Sequence, residues 1–208
     1  MKLLYIDWKN YSNTLKYKTI PDSQIANRVL FYYIYTIRQH NGMRPQDIVI
    51  LLKIIAKGQV AWQNKDLAAE LFISQSEVSE SLYRSAMAGL IDADQRKKVY
   101  RQSLMEFLEH GIHYVFPAMP STMINGVYTA HSHPYMQLEF KTESLHYVWP
   151  DAKGEVRGLS ILPFYKEQVK AVKQDEQLLL MLALLDVIQV GRVREMKYAI
   201  GKLKELIG

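Results

Sequence analysis

Gln75, Ser76, Ser79, Glu80, Tyr83 and Arg84 fall on one side of a stretch whose other side carries Val78 and Leu82, four residues apart. That spacing is helical and turns short or hydrogen-bonding side chains outward. Such side chains suit the donor and acceptor pattern of base edges in a DNA major groove. Downstream, Arg96, Lys97, Lys98 and Arg101 carry the charge that contact with phosphates requires. Histidine supplies the other chemistry: His110 and His113 share a possible helix end, and His131 and His133 lie in a loop. Those spacings could bring the four onto zinc or nickel, yet no acidic ligand accompanies them. Surface or hydrogen-bonded histidines are the commoner outcome, so neither a metal nor any other cofactor is expected. A P-loop, a dinucleotide-binding glycine fingerprint and a nucleophile elbow are all missing from the sequence, and no enzymatic activity is expected.

Two short helices meeting at a corner would position the outward face. Leu67, Ala68 and Leu71 give the first an apolar side, with Asn64 as its cap. Ser74 offers an oxygen to the free N–H groups of the second, with Glu77 three residues on. Gly89-Leu90-Ile91 closes the unit. A preceding helix starts at Arg44-Pro45-Gln46-Asp47, where proline is tolerated and an acid favours the dipole. Residues 48–55 are nearly continuous apolar and would form a buried spine that ends at Lys57-Gly58, and Trp62 reads as a core anchor.

The run Leu67-Ala-Ala-Glu-Leu-Phe-Ile-Ser-Gln-Ser-Glu-Val-Ser, followed by Leu82 and Ala88-Gly-Leu-Ile91, resembles winged-helix transcriptional regulators of the MarR-like type. The resemblance covers residues 44–91. It implies a recognition helix over residues 75–88 in the major groove and a wing in which Arg96, Lys97 and Lys98 hold the backbone. It also implies a homodimer. Two departures stand out. The corner position usually held by glycine is Phe72, and the recognition helix carries Glu77 and Glu80 where basic residues are common. The wing segment itself lacks a glycine turn, and residues 103–109 look helical, which predicts a truncated wing or a basic loop running into a helix.

Composition bounds these readings. The 208 residues are 49% hydrophobic and 23% charged, ordinary for a globular chain. No cysteine is present, which excludes disulfides and thiol catalysis and fits a reducing cytoplasm. The longest apolar run, residues 178–185, falls far short of a membrane span, so no membrane partner is expected. Net charge is +5, but residues 43–110 hold nine bases and nine acids, so a DNA-binding face would have to be locally positive.

Elsewhere the pattern predicts a helix over residues 25–37 within an N-terminal extension (1–42). The winged helix-turn-helix would occupy 43–110 and an irregular or β-containing segment 111–174, with strands among residues 138–149 and a helix near 165–173. A helical pair, 176–189 and Val193–Ile207, would form 175–208 and is the candidate dimerisation element. The expected fold is therefore mainly α (α+β), a winged-helix core with helical N- and C-terminal extensions. The expected function is sequence-specific binding of double-stranded DNA by a cytoplasmic transcriptional regulator. The alternative is a protein-binding adaptor or antitoxin-like partner that uses the same fold.

Overall fold

The computed structural model describes residues 42–94, 96–140 and 145–208. The expected helix over 25–37 lies outside them. Met43–Gly208 form one compact unit, mainly helical with a small three-stranded sheet. No described helix is long and apolar enough to cross a membrane.

Helix α1 (Pro45–Lys57) begins with Pro45 in its first turn, and the backbone N–H of Arg44 donates to Asp47 Oδ2 at 2.8 Å. Ile48 to Leu52 are wholly buried, so α1 is enclosed on every side as its apolar run predicts. Gly58, at φ 57°, ends it. Helices α2 (Asn64–Leu71) and α3 (Gln75–Met87) follow, then α4 (Arg101–His110) and the single turn α5 (Ile112–Val115).

The middle of the chain builds the sheet. Strand β1 (Met123–Tyr128) runs antiparallel to β2 (Tyr147–Pro150) with Val127 opposite Trp149, and antiparallel to β3 (Val156–Ser160) with Asn125 opposite Arg157. Strands β2 and β3 also pair, in parallel, at Tyr147 and Leu159. Such mutual approach leaves no room at Gly126, where a Cβ would sit 2.0 Å from the Trp149 carbonyl oxygen. Among the described residues the strand expectation for 138–149 holds only at its end. Leu138 belongs instead to helix α6 (Pro134–Glu139), started by Pro134 and capped by His133, whose Nδ1 accepts from the Tyr135 N–H at 3.2 Å. The helix expected over 165–173 is the shorter α7 (Gln168–Val172).

The C-terminal pair is core. In α8 (Glu176–Val190) every residue from Met181 to Gln189 is buried, and α9 (Val193–Ile207) packs Ala199, Leu203 and Ile207 inward. Residues 178–185 are therefore not an exposed pairing surface: their unbroken apolar run encloses a helix rather than marking one face of it. Met196 and Ile200 of the same helix are half-buried.

Asp186 joins α8 to the sheet. Its Oδ2 accepts from Thr129 Oγ1 at 2.6 Å and from Trp149 Nε1 at 2.7 Å. Burial pushes its carboxyl up from 3.8 to about 7, against the pull of those two hydrogen bonds. His133 is driven the other way, down from 6.5 to about 4, by burial alone.

Two predictions come from this core. Deleting residues 176–208 should yield a chain without a cooperative unfolding transition, and a folded truncated monomer would contradict the core role of α8. The second concerns pH. A folded chain that holds the Asp186 proton more tightly than the unfolded chain loses stability as pH rises from about 4 to about 7. His133 works in the opposite sense, costing stability as pH falls from 6.5 toward 4. Asp186→Asn removes only the first effect. Its unfolding free energy should gain on the parent's by on the order of a few kcal/mol between those pH values. Urea titrations at several pH values check it, and a pH-independent difference would contradict the raised carboxyl.

Candidate nucleic-acid interface

The corner between α2 and α3 forms without glycine. Phe72 adopts the left-handed conformation, φ 56° and ψ 42°. Its N–H donates to the Ala69 carbonyl at 3.4 Å, and the Ile73 N–H donates to the Ala68 carbonyl at 3.0 Å. Together these are the two bonds of a Schellman ending, with a ring at the position that glycine normally fills. Left-handed backbone at a bulky residue costs about 1–3 kcal/mol. Contacts from the far half of the chain act against that cost. The Lys170 ammonium lies 3.8 Å from the centre of the Phe72 ring, and the Tyr165 hydroxyl donates to the Leu71 carbonyl at 2.9 Å.

Helix α3 starts as its sequence predicts, with Ser74 Oγ accepting the Glu77 N–H at 3.1 Å. Helix α2 starts one residue earlier in its cap than expected: Gln63 occupies that place, its N–H donating to Asp66 Oδ2 at 2.8 Å, and Asn64 is the first helical residue. Val78 and Leu82 are buried, while Gln75, Ser76, Ser79, Glu80 and Tyr83 remain exposed. Arg84 does not join that face. Only 3% exposed, it donates from Nε and a terminal nitrogen to both oxygens of Asp47, at 2.9 and 2.7 Å, and from that same terminal nitrogen to Glu77 Oε1 at 2.8 Å. Helical spacing alone turns Arg84 outward, whereas the buried carboxylate of Asp47, 37 residues earlier in the chain, holds it in. The hydrogen bonds with Asp47, outweighing burial, hold its guanidinium firmly in the charged form. Glu77 also meets Arg44 at 3.4 Å, and Glu80 stands 3.6 Å from Arg84, so both acids of α3 face a guanidinium.

The segment after Ile91 is a minimal hairpin. One bridge, Ile91 with Val99, is flanked by the Asp92 N–H donating to the Lys98 carbonyl and the Tyr100 N–H donating to the Leu90 carbonyl, both at 2.9 Å. Arg96 has left-handed backbone, φ 51°, and its N–H closes the loop on the Asp92 carbonyl at 2.9 Å. The Arg96 guanidinium lies 5.2 Å from the centre of the Tyr83 ring, and Lys97 Nζ lies 5.6 Å from that of Trp62. Lys98 is exposed, at the edge of a groove of about 730 Å³ that runs along Val99 and Tyr100 to the C-terminal turn of α1. Arg101 also lines that groove, but its guanidinium donates to the Ile207 carbonyl and so pins α4 to the end of α9.

Ser79, Arg96 and Lys97 thus border one patch with Tyr83 against Arg96, Gln75 and Ser76 are exposed earlier on α3, and Arg84 and Arg101 serve the packing. Trp62 and Asn64 border the patch as well, a role their sequence positions did not signal. The histidines do not converge. His110 is exposed, with 74% of its side chain accessible, and the buried ring of His131 packs at a tilt against Tyr147, with ring centres 4.6 Å apart. Among the described residues no three His, Cys, Asp or Glu side chains are grouped to hold a metal ion.

Arg84→Ala should cost stability of about 3–5 kcal/mol, because it strands Asp47 as a buried unpaired charge. Arg84→Lys should recover little of this, since an ammonium cannot reproduce the two-pronged contact. Urea unfolding midpoints test both, and a variant of unchanged stability would return Arg84 to the surface. No family model matches this chain, and neither a curated protein nor a solved structure does so.

Proposed function

We propose that this chain is a sequence-specific regulator that binds double-stranded DNA through a winged helix-turn-helix made of α1, α2, α3 and the residue 91–99 hairpin. One observation carries the reading: the outward face of α3 keeps its hydrogen-bonding side chains exposed while the buried Arg84 answers the acids on that helix. The helix would enter the major groove by its first turns, with Gln75 and Ser76 against base edges. Glu80, 63% exposed, can accept from a cytosine amino group there. Arg96, Lys97 and Lys98 would lie along the sugar-phosphate backbone. Pairing into a homodimer fits the two-fold arrangement of operator half-sites, through a surface other than residues 178–185. A cytoplasmic location belongs to the same reading.

The test is binding to duplex DNA as salt is varied, first on a random pool and then on the sequences it enriches. Replacing Arg96, Lys97 and Lys98 with alanine should weaken all sequences alike and reduce the slope of log K against log salt by up to about three. Gln75→Ala should instead change sequence preference, at a cost of about 1–3 kcal/mol for the base it reads. Failure to bind any duplex at low salt would reject this function and favour the protein-binding adaptor.

A further inference from the structure

Between the start of α2, the middle of α3 and the hairpin loop lies a cleft of about 200 Å³, lined by Trp62, Asn64, Ser79, Leu82, Arg96 and Lys97. Its polar side chains are two cations, one amide, one hydroxyl and the Trp62 indole, and none of these six residues is an acid. The nearest acid along α3, Glu80, has its carboxylate 3.6 Å from Arg84. Asp92, at the root of the loop, takes the Tyr100 hydroxyl and the Asp94 N–H. Both cations are held in place before any ligand arrives. Lys97 lies over Trp62 and reaches its carbonyl at 3.4 Å, and Arg96 lies over Tyr83 with its left-handed backbone closed on Asp92. Ordering cations in advance lowers the entropy lost when they engage an anion. A non-glycine residue held at positive φ in such a loop is the kind of strain that clusters at binding sites.

We infer that this cleft seats a single phosphate of one DNA strand, with Arg96 and Lys97 supplying charge and Asn64 and Ser79 donating neutral hydrogen bonds to its oxygens. The inference rests on the duplex-binding function proposed above. It moves Ser79 from base reading to backbone holding and adds Asn64, so α2 as well as the hairpin grips the strand. Two neutral donors beside two cations favour an anion whose charge is spread over several oxygens. Trp62 and Leu82, both buried, also line the cleft and add apolar surface to it.

The experiment uses the full chain and the best-binding duplex from the random pool, carrying one methylphosphonate moved along each strand. That change removes the charge of a single phosphate. The expected result is one position per bound recognition helix where the methylphosphonate weakens binding by roughly tenfold or more, the size of a lost charge-assisted contact. At that position Ser79→Ala, Asn64→Ala and Lys97→Met should cause no further loss, while elsewhere their effects should multiply with that of the methylphosphonate. Lys97→Met keeps an apolar stem over Trp62, so the loop retains its support. Ser79→Ala and Asn64→Ala should leave the salt slope unchanged, and Lys97→Met should lower it by about one. Multiplicative losses at every position, or no loss from the variants, would overturn the inference while leaving duplex binding intact. Potassium phosphate should compete with the duplex beyond potassium chloride of equal ionic strength, and Ser79→Ala should abolish this, because free phosphate offers the cleft the same oxygens; competition unaffected by Ser79→Ala would overturn the inference. Absence of parental binding to any duplex would defeat the functional reading itself, before any substitution is made.

Discussion

The contact between Arg84 and Asp47 organises the helical half of this protein. Asp47 is fully buried, and its two oxygens take a forked pair of bonds from a guanidinium that is itself 3% exposed. A buried ion pair contributes little net stability, because desolvating both charges offsets their attraction. What it does is restrict geometry: any rotation of α3 on α1 would leave one charge in the core without its partner. Asp47 Oδ2 also accepts the Arg44 N–H, so one carboxylate both starts α1 and fixes the azimuth of α3. The same guanidinium extends to Glu77 and Glu80, which sets the electrostatics of the helix surface from beneath.

A second set of polar contacts carries that geometry into the rest of the unit. Lys53 of α1 reaches Glu70 of α2 and Asp175 at the start of α8, both at 2.7 Å. Burial works against its charge, but the bonds with Asp175 and Glu70 outweigh this and keep the ammonium protonated. Asp175 caps α8 through the Leu178 N–H at 2.9 Å, so α8 begins where α1 and α2 are clamped together. Tyr165 and Lys170, a few residues earlier, hold the Phe72 corner. The outward face of α3 is therefore positioned by residues more than eighty positions away in the chain.

That dependence explains what the amino-acid pattern disclosed and what it concealed. Signals confined to one turn of helix were legible: Pro45 with Asp47 at the start of α1, Ser74 with Glu77 at the start of α3, and the exposed face at Gln75, Ser76 and Ser79. Phe72 was legible as a position where glycine is absent, but not as a left-handed residue braced by Lys170, because the brace comes from another element. Arg84 and Arg101 show the same limit. Each has the type and spacing of a surface cation, yet Asp47 and the Ile207 carbonyl draw it into the packing. The run at residues 178–185 could have been a pairing surface or an enclosed helix, and hydrophobicity without periodicity does not separate the two. Trp62 and Asn64 carry no local signal for the cleft, which exists only once the hairpin folds back on α2 and α3.

These electrostatics bear on how the protein would discriminate among sequences. Residues 43–110, with equal numbers of acids and bases, gain little from a general field, so on the proposed function sequence-independent attraction to DNA would be modest. Positive charge is concentrated instead in a short loop, with Arg96 and Lys97 seated on aromatic rings. The exposed carboxylate of Glu80 would further oppose a misplaced phosphate, and a bound duplex would tolerate it only where a base offers a donor. Weak general attraction, a few oriented cations and an acid on the reading helix all act in one direction. On the proposed function they would raise the ratio of specific to non-specific binding rather than the affinity for DNA as such, and that ratio is what decides occupancy when competing sites are abundant.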